Sequence, residues 1–404
     1  MKNINDNYEK NIRFYLDTLF KNKNLPESAQ DYEDNPSKNF VEYIKQASGD
    51  VNYKFTSPMS VFWNLTSACN FRCIHCLYND TEYANKNDLT TERASLLADE
   101  LIEAGVVYVV LSGGEIFTRP DLLDIVKKLK SNNVAVRLLT NASLLDDEVI
   151  DELAEIFNPY VDAISVSLDG ATNETFKKIR QTESFEKIVA NIKKMTQRNI
   201  KVSVVCTVNP VNYSEVVDVY RLSQDLGVYN FIVGKVVCYN NSHENLTLSN
   251  EDLFELYYKL SKIKSEKTLL KINFWSPIEL LNIPEVAEII DREYYNSQIK
   301  TGYTEVLSRN CQCHDRLAID ADGTVYLCLE AIAQKIAPLG SLKNTSLNDI
   351  WENRNNNILF CQRHIEDMVC VKCKYNVFCN SGCMVKAYSR TKDCNTPQIP
   401  CYMG

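Results

Sequence analysis

Short apolar runs alternate with amphipathic segments over the middle of the chain. The runs at residues 61–65, 106–111, 134–139, 161–168, 202–208 and 231–236 are long enough for buried strands. The segments between them, such as 91–103, 122–130, 147–156 and 185–198, carry apolar residues three and four positions apart and almost no Gly or Pro. This alternation predicts βα units around a parallel sheet.

Six such units are too few to close an eight-stranded barrel. We therefore predict an α/β fold built on a partial (β/α)6 TIM-like barrel. In barrels of this kind the chemistry is carried by the loops that follow the carboxyl ends of the strands. Candidate functional residues are therefore sought at those strand ends.

Composition changes along the chain predict four regions. Residues 1–57 are polar and charged and form an N-terminal accessory segment, and residues 58–240 contain the partial barrel. Residues 241–309 are rich in Leu, Tyr and Lys and predict a largely helical bridge. Residues 310–404 are cysteine-rich with short intervening loops, which is typical of a small domain stabilised by bound metal.

The charge and the cysteine content narrow the class of protein. A formal net charge of −9 does not favour broad binding to nucleic acid. The amino terminus lacks the apolar core of a signal peptide, and no apolar run reaches the roughly 18 residues of a membrane helix. We therefore expect a cytoplasmic protein with no membrane partner. In that compartment its 15 cysteines are better explained by metal or cluster ligation than by disulfides.

Three cysteines directly follow the first predicted strand. Cys69, Cys73 and Cys76 offer three thiolates in a C-x3-C-x2-C pattern. Thiolates are the usual ligands of iron–sulfur clusters, and a four-iron cluster held by three of them keeps one iron for an exogenous ligand. The alternatives are a zinc knuckle or three incidental core cysteines. His75 is expected to pack beside the cluster rather than to bind it.

This pattern after a first strand resembles the signature of the radical SAM superfamily. The resemblance implies that a 4Fe-4S cluster binds S-adenosylmethionine (SAM) through its open iron. An electron from the cluster then cleaves SAM to methionine and a 5'-deoxyadenosyl radical.

The ends of the next three strands agree with this resemblance in order. Residues 113–115 resemble the family's GGE motif, which implies that Gly113, Gly114 and Glu115 hold the methionine amino group of SAM. The two glycines would let the backbone approach a ligand closely. Residues 140–142 resemble the family's TNG turn, with Asn141 in place and alanine instead of the usual glycine at position 142.

The fourth strand end resembles the part of the family pattern that binds the rest of SAM. It implies that Ser167 and Arg180 clamp the SAM carboxylate and that Asp169 stands near the ribose. The alternative for Ser167 and Asp169 is a capped turn before a helix. The alternative for Arg180 is an exposed charge on a helix.

The cysteines of the last region resemble the SPASM pattern of auxiliary-cluster domains. The resemblance implies two further 4Fe-4S clusters, one on Cys313, Cys328 and Cys383, the other on Cys370, Cys373, Cys379 and either Cys394 or Cys401. Cys311 either completes the first of these clusters or leaves it with an open iron. A zinc ribbon is the alternative for this domain. Cys206, Cys238 and Cys361 fit no motif and are expected to be buried small hydrophobic residues.

Members of the SPASM group modify several classes of substrate. We expect a ribosomally made precursor peptide that receives a thioether or carbon–carbon cross-link or is oxidised, with a flavodoxin- or ferredoxin-type electron donor. The enzymatic alternatives are maturation of a sulfatase and modification of a tetrapyrrole or another cofactor precursor. The alternative of another class is a non-catalytic iron–sulfur electron carrier or zinc-binding protein.

Overall fold

The computed structural model describes residues 57–76, 87–236, 243–249, 316–360, 368–372 and 381–397, with 252–253, 255–256, 259–260, 263 and 270–274. The accessory segment expected at residues 1–57 lies almost entirely outside these residues. So does most of the expected bridge at 241–309.

Ten strands lie within the described residues. They are β1 (Ser60–Thr66), β2 (Tyr108–Gly113), β3 (Ala135–Thr140), β4 (Ala163–Ser167), β5 (Val202–Val208), β6 (Asn230–Lys235), β7 (Lys271–Phe274), β8 (Arg316–Ile319), β9 (Thr324–Tyr326) and β10 (Gly340–Ser341). They form one sheet in the order β10-β9-β8-β1-β2-β3-β4-β5-β6-β7. Strands β1 to β7 are parallel.

Helices connect these strands. Within the described residues they are α1 (Thr91–Glu103), α2 (Leu122–Ser131), α3 (Asp147–Ile156), α4 (Asn173–Arg180), α5 (Phe185–Gln197), α6 (Val216–Asp225), α7 (Leu329–Gln334), α8 (Leu347–Asn353) and α9 (Met384–Thr391). The α/β fold with a parallel sheet is confirmed, and all six predicted strands form.

Four of the described helices, α1, α3, α4 and α8, begin with a side-chain cap. Thr90 accepts a hydrogen bond from the backbone N–H of Arg93 at the start of α1, and Thr172 accepts one at the start of α4. Such caps satisfy amide groups that have no partner inside the helix, and each contributes roughly 1 kcal/mol. Leu97 and Leu101 on α1 are fully buried. Burial of each such side chain contributes about 1.5–3 kcal/mol, so packing holds the helix on the sheet.

The sheet extends beyond the six predicted strands in both directions. Strand β7 pairs with β6 and lies inside the segment that the sequence predicts to be a helical bridge. At the other side, β8 pairs in parallel with β1, and the β8-β9 hairpin belongs to the cysteine-rich region. The C-terminal region therefore continues the barrel sheet instead of forming a separate layer.

A buried polar contact reinforces the pairing of β1 with β8. The Asn64 side-chain amide donates to Asp320 Oδ1 at 3.1 Å, and both residues are at least nine-tenths buried. Lys335 forms an ion pair with the other oxygen of Asp320. Arg93 on α1 adds a second link, because its guanidinium donates twice to the carbonyl of Leu342. Polar side chains thus join the barrel and the C-terminal region.

Among the described residues, the helices are all too short or too polar to cross a membrane.

The Asn64–Asp320 contact should be worth more than the Lys335–Asp320 pair. Asp320→Ala removes a charged acceptor from a buried site and should lower the free energy of unfolding by about 1–3 kcal/mol. The Lys335 side chain is 58% exposed, so Lys335→Met should lower it by less than about 1 kcal/mol. Urea unfolding of the two variants measures both effects. If the two variants lost equal amounts of unfolding free energy, the buried Asn64–Asp320 contact would not be the more stabilising of the two.

Candidate active site

The loop after β1 carries the three cysteines of the first motif. Cys73 is buried, and Cys69 and Cys76 are half-buried. The backbone N–H of Ile74 donates to the carbonyl of Ile179 at 2.9 Å, which fixes the loop to the end of α4. The neighbouring side chain of Phe71 is only 5% exposed and anchors the loop in the core. The thiols therefore lie on a loop that is held from inside the protein.

Asp88 holds the start of this loop. Its carboxylate accepts hydrogen bonds from the Thr66 hydroxyl at 2.8 Å, the Ser67 amide at 2.8 Å and the Ser67 hydroxyl at 2.7 Å. A carboxylate that accepts several short bonds orders the backbone that donates them. No sequence pattern predicts this role, because Asp88 belongs to no motif and its partners lie more than 20 positions away.

Gly113 and Gly114 lie in close contact with the backbone of residues 66–68, which leads into the cysteine loop. The amide of Gly114 donates to the Thr66 carbonyl at 2.8 Å, and the amide of Glu115 donates to the Ala68 carbonyl at 2.7 Å. A Cβ at Gly113 would lie 2.2 Å from the Thr66 carbonyl oxygen, and one at Gly114 would lie 2.1 Å from that of Ala68. The close approach that these glycines allow is therefore to the protein's own backbone, directly before Cys69.

Glu115 is fully buried and satisfied by protein donors. Its carboxylate accepts from the Thr140 hydroxyl at 2.6 Å, the Asn141 amide at 2.6 Å and the Phe117 amide at 3.2 Å. Burial raises the pKa of this carboxyl above its ordinary value, and the three hydrogen bonds oppose that shift. The structure thus places Glu115 between the ends of β2 and β3, where it holds the turn that contains Asn141.

Asn141 connects that turn to the cysteine loop. Its side-chain N–H donates to Asn70 Oδ1 at 2.9 Å, and the side-chain N–H of Asn70 donates to the Ser143 hydroxyl at 2.8 Å. Asn70 is the residue after Cys69, and no sequence signal predicted its part. Ala142 has φ = 59°, in the left-handed region. The glycine of the family pattern would suit this conformation, and alanine adopts it at a cost of roughly 1–2 kcal/mol.

Asp169 and Arg180 form a buried ion pair beside the cysteine loop. Arg180 Nη2 lies 2.6 Å from Asp169 Oδ2, and Arg180 Nη1 lies 3.5 Å from the sulfur of Cys73. Asp169 Oδ1 accepts from the Thr207 amide at 2.7 Å. Arg180 is 8% exposed and so is not an exposed helix charge, and Thr172 rather than Ser167 or Asp169 caps α4. Ser167 is half-buried at the end of β4.

His75 packs against this pair. Its Nε2 lies 3.6 Å from Asp169 Oδ2, and its side chain is 11% exposed. Burial lowers the pKa of His75 to about 4, so the ring is neutral at neutral pH. The position agrees with the expected packing role.

The donor set of this site fits an iron–sulfur cluster with a polar ligand. Three thiols share one ordered loop, and the buried atoms His75 Nδ1 and Arg180 Nε have no hydrogen-bond partner within the described residues. Buried polar atoms of this kind are uncommon without a ligand. Burial raises the pKa of the Cys69 thiol, so binding of iron would release its proton. In the part of the chain that is described, no three His, Cys, Asp or Glu side chains are placed to hold one metal ion. Thiolates that bind different irons of one cluster need not converge on a single point.

The structure describes part of the second cysteine set. Cys328 begins α7, Cys383 begins α9, and Cys370 lies in a short 3-10 helix, and none of these three is in a disulfide. Cys394 is buried and disulfide-bonded. The remaining predicted ligands lie outside the described residues: Cys311, Cys313, Cys373, Cys379 and Cys401. Cys206 is fully buried in the core, as expected, whereas Cys238 and Cys361 are not described.

Replacement of Glu115 tests whether its hydrogen bonds hold the strand ends together. Glu115→Gln replaces one carboxylate oxygen by an NH2 group, which places a donor opposite the donors of Thr140, Asn141 or Phe117. It should lower the free energy of unfolding by about 1–3 kcal/mol. The control is Glu174→Gln, which replaces a carboxylate that is 78% exposed. This variant should change the free energy of unfolding by less than about 0.5 kcal/mol. Urea unfolding compares the two variants. A Glu115 variant of wild-type stability that binds SAM weakly would instead make this carboxylate a direct ligand.

Comparison with known proteins agrees with this geometry. The model of the radical SAM superfamily matches residues 63–223, and that of the SPASM iron–sulfur cluster-binding domain matches residues 311–374. The AdoMet-dependent heme synthase of Methanosarcina barkeri is 26% identical over 347 residues, which cover 83% of this chain and 94% of that protein. The mycofactocin maturase MftC of Mycobacterium tuberculosis is 36% identical over 154 residues, which cover 37% of this chain and 38% of that protein.

A solved structure has the same fold over most of the chain. Streptococcus suis SuiB bound to precursor peptide SuiA superposes with a TM-score of 0.68 at 15% identity, over 97% of this chain and 87% of that one. The two matched domains, the thiols after β1 and the strand-end contacts agree with one another. The chain therefore contains a radical SAM domain and a C-terminal SPASM domain.

Proposed function

We propose that this radical SAM enzyme modifies a ribosomally made precursor peptide by cross-linking or oxidising it. The observation that carries the proposal is the SPASM domain, whose β8 is paired with β1 of the barrel. This pairing keeps Cys328, which directly follows the β8-β9 hairpin, next to the barrel sheet. The similarity to a mycofactocin maturase and the shared fold with a peptide-bound SuiB support a peptide substrate.

The residues of the first site have the following proposed roles. Cys69, Cys73 and Cys76 hold a 4Fe-4S cluster, which when bound supplies the electron that cleaves SAM to methionine and a 5'-deoxyadenosyl radical. Gly113 and Gly114 place the segment before Cys69. For contact with SAM we propose Ser167, which is half-buried at the end of β4, together with Asn141 and the neighbouring backbone.

The C-terminal cysteines hold the groups that accept the second electron. A peptide that loses one hydrogen atom to the 5'-deoxyadenosyl radical must lose another electron and a proton when a new bond forms. We assign this electron transfer to auxiliary clusters on the second cysteine set, Cys313, Cys328, Cys370, Cys373, Cys379 and Cys383 with Cys311 or Cys401. Cys394 is left out of this set because its sulfur is in a disulfide. A flavodoxin- or ferredoxin-type protein in the cytoplasm would deliver the first electron.

A second candidate function is modification of a tetrapyrrole. The specific observation in its favour is the similarity to a heme synthase, which extends over 94% of that protein. The substrate must therefore be tested directly against both classes.

The first motif should be required for cleavage of SAM. After anaerobic reconstitution with iron and sulfide, the Cys69, Cys73 and Cys76→Ala triple variant should form no 5'-deoxyadenosine, because the cluster that binds and reduces SAM is lost. It should keep the iron of the C-terminal clusters. Cys206→Ala, which removes a core thiol outside the motifs, should retain cleavage. Chromatography measures 5'-deoxyadenosine, and iron analysis measures the bound iron. Cleavage of SAM by the triple variant would contradict the assignment of these three cysteines to the SAM-binding cluster.

The substrate class and the role of the second cysteine set can be tested together. A short peptide encoded beside this gene should lose two mass units when incubated with the enzyme, SAM and a strong reductant. The Cys370 and Cys383→Ala double variant should still form 5'-deoxyadenosine but yield little modified peptide, since the second electron has no acceptor. Cys206→Ala serves again as the control, and mass spectrometry detects the product. Modification of an iron tetrapyrrole with the peptide unchanged would favour the second candidate.

A further inference from the structure

The guanidinium of Arg180 is shared between a cysteine of the first motif and a buried carboxylate. Its Nη1 lies 3.5 Å from the sulfur of Cys73, and its Nη2 lies 2.6 Å from Asp169 Oδ2. The exposed fractions are 8% for Arg180, 7% for Cys73 and 0% for Asp169. A full positive charge therefore lies next to the sulfur where little water can screen it.

This charge persists at all accessible pH values. An arginine guanidinium is protonated throughout the pH range in which proteins are folded. Asp169 and Cys73 are its direct contacts, His75 packs against the Asp169 carboxylate, and the Glu115 carboxylate also interacts with its charge. Asp169 is also fixed by the amide of Thr207, so it holds the arginine in place.

We propose that Arg180 is a positioning residue that holds the Cys73 thiolate and raises the reduction potential of the cluster bound to it. The inference deepens the proposed function, since it rests on Cys73 being a cluster ligand. Reduction adds negative charge to a cluster. A fixed cation and an N–H donor beside a ligand sulfur stabilise the reduced form more than the oxidised form.

Asp169 sets the size of this effect. Its negative charge offsets part of the positive charge of Arg180 at the cluster, so the two residues act on the potential with opposite signs. Loss of the arginine should make the cluster harder to reduce. Loss of the aspartate charge should make it easier to reduce. A purely structural disturbance of the loop would not produce two shifts of opposite sign.

The alternative role for Arg180 is the clamp on the SAM carboxylate that the family resemblance implies. Both Nη atoms are already engaged by Asp169 and Cys73, and only Nε has no hydrogen-bond partner within the described residues. A clamp predicts weaker binding of SAM and an unchanged potential without SAM. Our proposal predicts a changed potential before SAM is added.

The test is an anaerobic redox titration of the reconstituted full-length protein without SAM, in which electron paramagnetic resonance measures the reduced cluster at each potential. Spectra of the Cys69, Cys73 and Cys76→Ala triple variant are subtracted to isolate the first cluster. In Arg180→Gln the reduction equilibrium should fall at least tenfold, a shift of about 59 mV to more negative potential for one electron. Arg180→Lys, which keeps the charge, should shift it by less than half as much.

Two further variants make the result decisive. Lys178→Met removes an exposed charge from the same helix and should leave the potential unchanged, since that side chain is 59% exposed. Asp169→Asn should shift the potential to more positive values, and this variant decides the outcome if Arg180→Gln fails to assemble the cluster. An unchanged or more negative potential in Asp169→Asn would overturn the proposal. The proposal would also be overturned if Arg180→Gln had an unchanged potential and bound SAM more weakly.

Failure of the proposed function is recognised separately. If the triple variant retained the iron of the first cluster, Cys73 would not be a ligand, and the assignment of the site itself would be wrong. If the triple variant loses that iron while the potentials of the Arg180 and Asp169 variants equal that of the wild type, only the inference on Arg180 is wrong.

Discussion

The site depends on the contact between the backbone at the end of β2 and the backbone that leads into the cysteine loop. The amides of Gly114 and Glu115 donate to the carbonyls of Thr66 and Ala68, and a side chain at either glycine would collide with those carbonyls. Each hydrogen bond is modest in net terms, but a buried amide or carbonyl without a partner is costly. These contacts therefore favour one conformation of the loop, and that conformation sets the positions of the three thiols.

The other strand ends add to this arrangement by the same kind of interaction. The β3 turn reaches the loop through Asn141 and Asn70, and the end of α4 reaches it through Ile179 and Arg180. A ligand-binding loop that is held by several rigid elements loses little conformational freedom when the ligand binds. In this protein the carboxyl edge of the sheet is thus both the support of the loop and the wall of the site.

Much of this could be predicted from the sequence. The six central strands followed from long apolar runs, and the resemblance identified the three cysteines and the strand-end motifs. Strands β7 to β10 were missed because each has only two to four residues, which is too short to show a period. Asp88 and Asn70 were missed because their partners are distant in sequence. The glycines were noticed, but their close approach to the backbone of Thr66 and Ala68 could not be read from the sequence. Arg180 stands in a polar helix end, so the sequence pattern left its burial open.

The parallel pairing of β1 with β8 also constrains how the chain can fold. Asn64 and Asp320 are 256 positions apart, so β1 completes its hydrogen bonds only after most of the protein has been made. At about 5–20 residues per second, the ribosome needs roughly 13–50 s for that stretch. During this time the edge of β1 that will receive β8 is unpaired, and exposed strand edges can pair with other chains. Contacts of such long separation also slow folding itself. The order of synthesis therefore leaves β1, near the amino terminus, without its β8 partner until the last quarter of the chain has been made.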